Sequence, residues 1–498
     1  MARRNGGIIG PANTPTGGLA GVAKGVWRIN DVLNYKKNNQ WPITATAGTN
    51  SLRFDDDSSD YLEKTFSGDG TSHDTGTISV WIKRSELSAE NLIIAAGSTN
   101  RNFIRFESDD TLTFRSVADS FQLTTTQVFR DSSAWYHIVI AFDTTQSTSS
   151  DRVKFYVNGT QVTDFGTETY PAQNLDIKIG AAELNRIGKE SEQSTLFDGY
   201  MAEFVYIDGQ QLDASYFGET NSATNIWVPR PIGAQVGSFG TNGFYLDFAD
   251  SSSLGNDVSG NDNDFTANNL TSVDQSTDIP TNNFCTWNGN IRSDVTLAEG
   301  NLEMSAGGVA YDGTVGTIIP TQGKWYAEIK VTVPTNLQIG FITEGTFIDG
   351  KRSLYTAGST IYWQDNVTTI RYYLKGVVQS GHATVTGGSN SVSTYTTDDI
   401  IMLAMDLDNG YAWFGKNGTW QNSGDPAGGT NAFNLASDYA DGTTIFSGQN
   451  NSAVQANFGS PPYSISSGNS DGNGYGNFEY AVPSGYYALN SANLNTYG

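Results

Sequence analysis

The residues best equipped for chemistry in this chain are carboxylates gathered into short runs. Asp55-Asp56-Asp57, with Asp60 just beyond, offers one dense set of oxygens. A second run, Asp257, Asn261, Asn263 and Asp264, mixes carboxylate and carboxamide oxygens. Hard divalent cations take oxygen ligands of this kind, so both runs are candidate Ca²⁺ sites, and Ca²⁺ is the one candidate cofactor. Neither run has the sixth-position glycine and closing glutamate of an EF-hand loop, and Asx-rich turns share the composition.

Catalytic arrangements find less support. Retaining glycosidases need two carboxyl groups roughly 5 Å apart across the scissile bond. Asp406 and Asp408 share a strand face but sit at a turn, where acids serve the backbone. His73, His137 and His382 lie in unrelated contexts, with no spacing for a triad or a metal cluster. Glycines follow strands as turns rather than opening helices, so no phosphate loop is present. The chain reads as non-enzymatic. For ligand binding, Tyr362-Trp363 with Gln364, and Tyr372-Tyr373, are candidate aromatic platforms. Strand aromatics also build cores, since alternate residues face inward.

The elements that must position these residues are strands. Between Thr397 and Trp420, Ile400, Met402 and Ala404 point one way and Ile401, Leu403, Met405 and Leu407 the other. Apolar residues on both faces imply a strand between two apolar layers. Asn409-Gly410 turns the chain into Tyr411–Phe414, and Asn417-Gly418 turns it again. The same grammar appears in Trp135–Asp143, Val153–Val162 and the Asn158-Gly159 turn. The expected fold class is therefore all-β, with two antiparallel β-sandwich (jelly-roll) domains in tandem behind an irregular N-terminal segment.

Composition agrees. The 498 residues are 12% aromatic with 55 Gly, and only 16% are charged, which is a turn-rich β profile. No stretch has clear helical periodicity outside Val26–Tyr35. A net charge of −24 repels phosphate backbones, so nucleic acid is not an expected partner. The single cysteine, Cys285, excludes an intrachain disulfide and is compatible with folding in a reducing cytosol. No signal peptide and no membrane-spanning run is apparent, so membrane insertion is not expected.

In chain order, residues 1–45 are too rich in Gly and Pro for a domain but too apolar for a solvated linker. Ile8, Ile9, Trp27, Tyr35 and Trp41 read as contacts that dock onto something larger, or onto the chain's own sandwich. Residues 46–220 form the first sandwich, 221–284 a connector and 285–498 the second sandwich.

The first segment resembles LamG or concanavalin A-like jelly rolls. The resemblance rests on Leu52-Arg53-Phe54-Asp55, Thr77–Lys83, Trp135-Tyr136-His137-Ile138-Val139, Tyr156-Val157-Asn158-Gly159 and Phe197-Asp198-Gly199-Tyr200-Met201-Ala202-Glu203. His137 falls where such domains carry a packing histidine. The second segment resembles SPRY (B30.2-like) sandwiches through Gly323-Lys324-Trp325-Tyr326-Ala327-Glu328, Ile339-Gly340-Phe341, Trp413-Phe414 with Asn417-Gly418, and Asn457-Phe458-Gly459. It departs from them in Gly/Ser/Asn-rich insertions at 376–397 and 464–477. With Gly25-Val26-Trp27 after a Gly-Pro-rich opening, the whole arrangement resembles marine tailed-phage structural and tail-fibre proteins. That resemblance implies a virion appendage, assembled in the host cytoplasm and anchored by residues 1–45. Its implied partners are other tail or capsid proteins and a host-surface glycan or protein. It also implies a homo-oligomer, although no heptad repeat specifies a number. A structural decoration or adaptor protein is the alternative, and a polysaccharide depolymerase a third class.

Overall fold

A computed structural model of the protein describes residues 48–498 apart from 99, 119, 191–194, 223, 233–235, 309–312, 344–358, 374–379 and 436–437. The expected docking residues Ile8, Ile9, Trp27, Tyr35 and Trp41 lie outside the described residues.

The architecture is nearly all β, in antiparallel sheets packed as two sandwiches. One sheet of the first sandwich is centred on Thr75–Arg84, which pairs with Tyr136–Asp143 on one side and Gly199–Asp208 on the other. Strand Ser51–Phe54 adds to Gly199–Asp208, placing Phe54 opposite Gly199. The facing sheet runs from Phe165–Thr169 through Tyr61–Thr65 to an edge at Thr266–Asn268. Between them Phe54, Ile82, Phe106, Phe114, Ile140 and Met201 bury their side chains. Asn158 and Gly159 adopt φ of 47° and 81°, the left-handed pair that a tight hairpin requires.

Residues 221–284, expected as a connector, contribute to this sandwich. Phe244–Leu246 pairs with Gly199–Asp208, Gln275–Ser276 with Ser51–Phe54, and Thr266–Asn268 with Tyr61–Thr65. Such short strands carry little periodicity, and their pairing is decided by edges far away in sequence.

In the second sandwich, Ile400–Asp406 lies between Lys324–Val333 and Tyr411–Lys416. Both of its faces are buried, as its apolar pattern requires. Ile401, Leu403, Met405 and Leu407 join the main core, while Met402 and Ala404 pack with Tyr326, Trp413, Phe478 and Tyr486. The outer layer thus comes from the chain's C-terminal stretch. Among the described residues the one α-helix is Ser491–Tyr497, capped by Asn490, whose side chain accepts from the Asn493 amide.

Candidate functional site

Trp363 is fully buried, edge-on to Tyr395 and Phe414 in the main core of the second sandwich. Tyr362 points to the opposite face of that sheet, where it packs with Val315, Ile342 and Phe446 and is 3% exposed. Neither ring is available as a sugar platform, because burial between layers outcompetes the exposed placement. Gln364 is half-buried and accepts from Arg371, and Tyr372 leans on the core. The side chain of Tyr373 lies outside the described residues.

The Asp257 loop is a hydrogen-bonded knot. Asp257 accepts from the amides of Tyr245, Ser259 and Asn263 and from the Ser259 hydroxyl. Asp264 accepts from the Asp257 amide. Asn261 and Asn263 turn their NH₂ groups onto the carbonyls of Gly240, Thr241 and Gly243. Oxygens already filled by N–H donors, and amides presenting hydrogens, make a loop closure and not a cation cage. Asp406 is likewise consumed, capping its turn through Asp408 and Asn409 and pairing with Lys324 at 2.8 Å. His137 is buried, stacked on Trp81, and bonded to Ser79 and the Trp227 indole N–H. Burial pushes its pKa down to about 3.

The chemistry that remains lies where the two sandwiches meet, and Arg53 organises it. Its side chain is 1% exposed. Its Nε donates to Glu299 at 3.0 Å, one Nη to Asp274 at 2.9 Å and the other Nη to the Pro461 carbonyl at 3.4 Å. The Tyr200 hydroxyl donates to the Gly300 carbonyl at 2.9 Å, and the Asn301 amide to the Ser85 carbonyl at 3.2 Å. Nearby, buried Lys83 holds Asp278 at 2.8 Å and the Phe284 carbonyl at 3.1 Å. A junction stitched by buried, directional bonds holds the sandwiches in one orientation.

Beside Arg53 the junction opens into an acidic cleft of about 270 Å³. Asp56, Asp57, Glu86 and Asp198 line it from the first sandwich, Thr296 and Asn301 from the second. Two Phe-Asp steps place the acids. Phe54 and Phe197 meet edge-on at 5.9 Å on paired strands, so Asp55 and Asp198 emerge at the same end. Gly199 permits that approach, since a Cβ there would lie 2.2 Å from the Lys83 carbonyl. Carboxylate oxygens of Asp55, Asp56 and Asp57 lie within 4.8 Å of one another. Burial, then Asp57 and Asp55, pushes Asp56 up. Burial, then Asp56, Asp55, Glu86 and Asp57, pushes Asp198 well above the usual carboxylate range. Asp60 is raised to about 7, chiefly by burial, and its Oδ2 accepts from the Asp55 amide. The Asp55–Asp57 run is therefore the cation candidate that the structure keeps. Asp198 was missed in the sequence, where the repeated Phe-Asp step was its signal.

A second groove at the junction, of about 260 Å³, is lined by Gln275, Thr277, Ser460, Tyr463, Ser464 and Asn477 among others. Its mixture of hydroxyls, amides and one aromatic ring suits a polar ligand.

By comparison with known proteins, residues 56–210 match the family Laminin_G_3, the concanavalin A-like lectin/glucanases superfamily. No curated protein matches the sequence. Solved structures similar to the chain include the SPRY domain of human HERC1, at 12% identity and TM-score 0.25, covering 34% of this chain and 96% of that one. The native heptameric SAP-like pentraxin of Limulus polyphemus aligns at 16% identity and TM-score 0.28, covering 46% of this chain and 94% of that one. The TRIM65 PSpry domain aligns at 7% identity and TM-score 0.24, covering 35% and 91%. The first sandwich is thus a LamG/concanavalin A-like domain, and SPRY domains are among the chain's structural neighbours.

Proposed function

We propose that this chain is a non-enzymatic appendage protein of a tailed-phage particle. Residues 1–45 dock it, as a homo-oligomer, to other virion proteins, and the rims of its sandwiches recognise a host-surface glycan or protein. The observation that carries the binding role is the lectin/glucanase-type domain at residues 56–210, beside a second sandwich with a polar groove between them. The groove around Gln275, Thr277, Tyr463, Ser464 and Asn477 is the proposed place for the ligand. The phage setting rests on the resemblance of the whole chain, including its apolar N-terminal segment.

The test pairs a glycan array with whole-host-cell binding by the full chain. Capture of a defined glycan or of cells, weakened by Asn477→Ala and Gln275→Ala, supports recognition. Silence in both assays refutes it and selects the alternative, a decoration or adaptor protein that touches only particle proteins, for which the stiff junction is equally suited. Reducing-sugar release from host envelope, abolished by one carboxylate substitution, would instead make it a depolymerase. For the anchor, particles assembled with a chain lacking residues 1–45 should lose the protein while its sandwiches stay folded; unchanged incorporation refutes docking.

A further inference from the structure

We propose that Lys83 and Asn283 join in an intramolecular isopeptide bond, with Asp278 carrying the protons. Lys83 stands on Thr75–Arg84 of the first sandwich, and Asn283 on the stretch that leads into the second. Their side chains meet although 200 positions separate them, Lys83 Nζ donating to Asn283 Oδ1 at 2.8 Å. The same Nζ donates to Asp278 Oδ2 at 2.8 Å. Amine, carboxamide and carboxylate are thus in mutual reach. A C=O bond is about 1.23 Å long, so the Asn283 Cγ lies within about 4 Å of Nζ. Rotation of the carboxamide about χ2 turns its face to the amine and closes the gap to the roughly 3–3.5 Å of a near-attack pair.

The surroundings hold each group in its role. The Lys83 and Asp278 side chains are 1% and 2% exposed, so bulk water is kept from the amine. The Tyr200 ring lies 5.7 Å from Nζ. The Trp135 indole N–H and the Phe284 amide donate to Asp278 Oδ1 at 3.1 and 3.2 Å, which leaves Oδ2 for the lysine. Asn283 Nδ2 donates to the Ser133 carbonyl at 2.7 Å, which fixes the amide with its oxygen towards the amine. A plain ion pair needs only the carboxylate; the third member here is an electrophile, pinned from behind.

The step balances within these three side chains. Asp278 Oδ2 takes a proton from the Nζ ammonium and leaves a neutral amine with a free electron pair. That pair attacks the Asn283 Cγ, and the Nζ–Cγ bond forms as the C=O opens to a tetrahedral oxyanion. Asp278 passes its proton to Nδ2 and takes a second one from Nζ. The C=O closes again and the Cγ–Nδ2 bond breaks. Ammonia leaves past the half-buried Asn283 and takes the Asp278 proton with it as ammonium, which restores the carboxylate. The step needs no oxidant and no co-reactant. Its product ties the first sandwich covalently to the start of the second and restrains the unfolded chain as any long-range cross-link does.

The experiment is mass spectrometry of the purified full chain, intact and after denaturation and digestion with trypsin. In most molecules the peptides carrying Lys83 and Asn283 should emerge as one branched product, lighter than their sum by one ammonia and uncleaved after Lys83. Asn283→Ala should abolish that product, and Asn283→Asp should form it with loss of water in place of ammonia. Asp278→Asn should leave the two peptides separate in a chain whose circular dichroism matches the parent. The parent digest decides the bond by itself, whether or not a variant folds. Lys83 and Asn283 recovered in separate peptides of full mass would overturn the proposal and leave the trio a buried ion pair. Loss of ammonia without a branched peptide would overturn it too, since an Asn-Gly turn closing to a succinimide loses the same mass. An undiminished link in folded Asp278→Asn would remove the aspartate from the reaction.

Discussion

Arg53→Met severs the polar centre of the junction while roughly preserving side-chain length. Four bonds are lost, to Glu299, Asp274 and the carbonyls of Val273 and Pro461. Hydrogen bonds to charged groups contribute about 1.5–3 kcal/mol each, and removing one partner of a buried ion pair costs about 3–5 kcal/mol. Asp274 and Glu299 keep 13% and 25% side-chain exposure, so water reaches the abandoned carboxylates and offsets part of that loss. The expected destabilisation is therefore about 3 kcal/mol, at the low end of the range. Urea unfolding followed by tryptophan fluorescence and far-ultraviolet circular dichroism measures it. The informative comparison is the triple variant Arg53→Met, Asp274→Asn, Glu299→Gln, which removes the stranded charges. It should recover most of the loss and lie within about 1 kcal/mol of the parent. A single-variant cost under about 1 kcal/mol, or a triple variant no better than the single, refutes the claim that charge compensation organises the junction.

Other predictions concern pH, the core and the misread loop. Glu203, pushed up to about 7 chiefly by burial, keeps its proton in the folded chain, whereas unfolding returns it to its ordinary value of 4.5. The stability it lends is full below pH 4.5 and is lost as pH rises to about 7. Glu203→Gln should make the stability-versus-pH slope in that window shallower by about one proton; identical slopes would reject this. Trp363→Ala should cost about 3–5 kcal/mol in urea unfolding, with ligand capture per folded molecule unchanged; reduced capture by folded protein would restore Trp363 as a binding residue. Asp257→Ala should cost about 1–3 kcal/mol by stranding the amides of Tyr245, Ser259 and Asn263, equally in calcium and in chelator. A calcium-dependent cost would return that loop to the list of metal sites.

Where one periodicity dominates, the sequence is a faithful guide. Ile400–Asp406 has apolar side chains on both faces because layers lie on both sides, and the Asn-Gly turns fix its hairpins through positive φ. Sites fare worse, because composition does not say where a side chain points. Tyr362-Trp363 suits a sugar platform and a core equally, and only the sheet's two covered faces decide for the core. The Asp257 run has the right atoms for a cation but spends them on its own backbone. Asp198 lies far along the chain from Asp55, and strand register alone makes them neighbours. Thr266–Asn268 and Gln275–Ser276 escaped notice because each is brief and recruited by an edge already in place.

The route of the chain through the junction has a mechanical consequence. Ser51–Phe54, the first described strand, is flanked by Gly199–Asp208 and Gln275–Ser276 and carries Arg53. Near the other end, Ser491 accepts from the Asn283 amide, and the Ala492 amide donates to Asn282. Tension entering through the leading peptide would reach this seam at once, spread over several ladders, before it could peel either sheet from its outer edge.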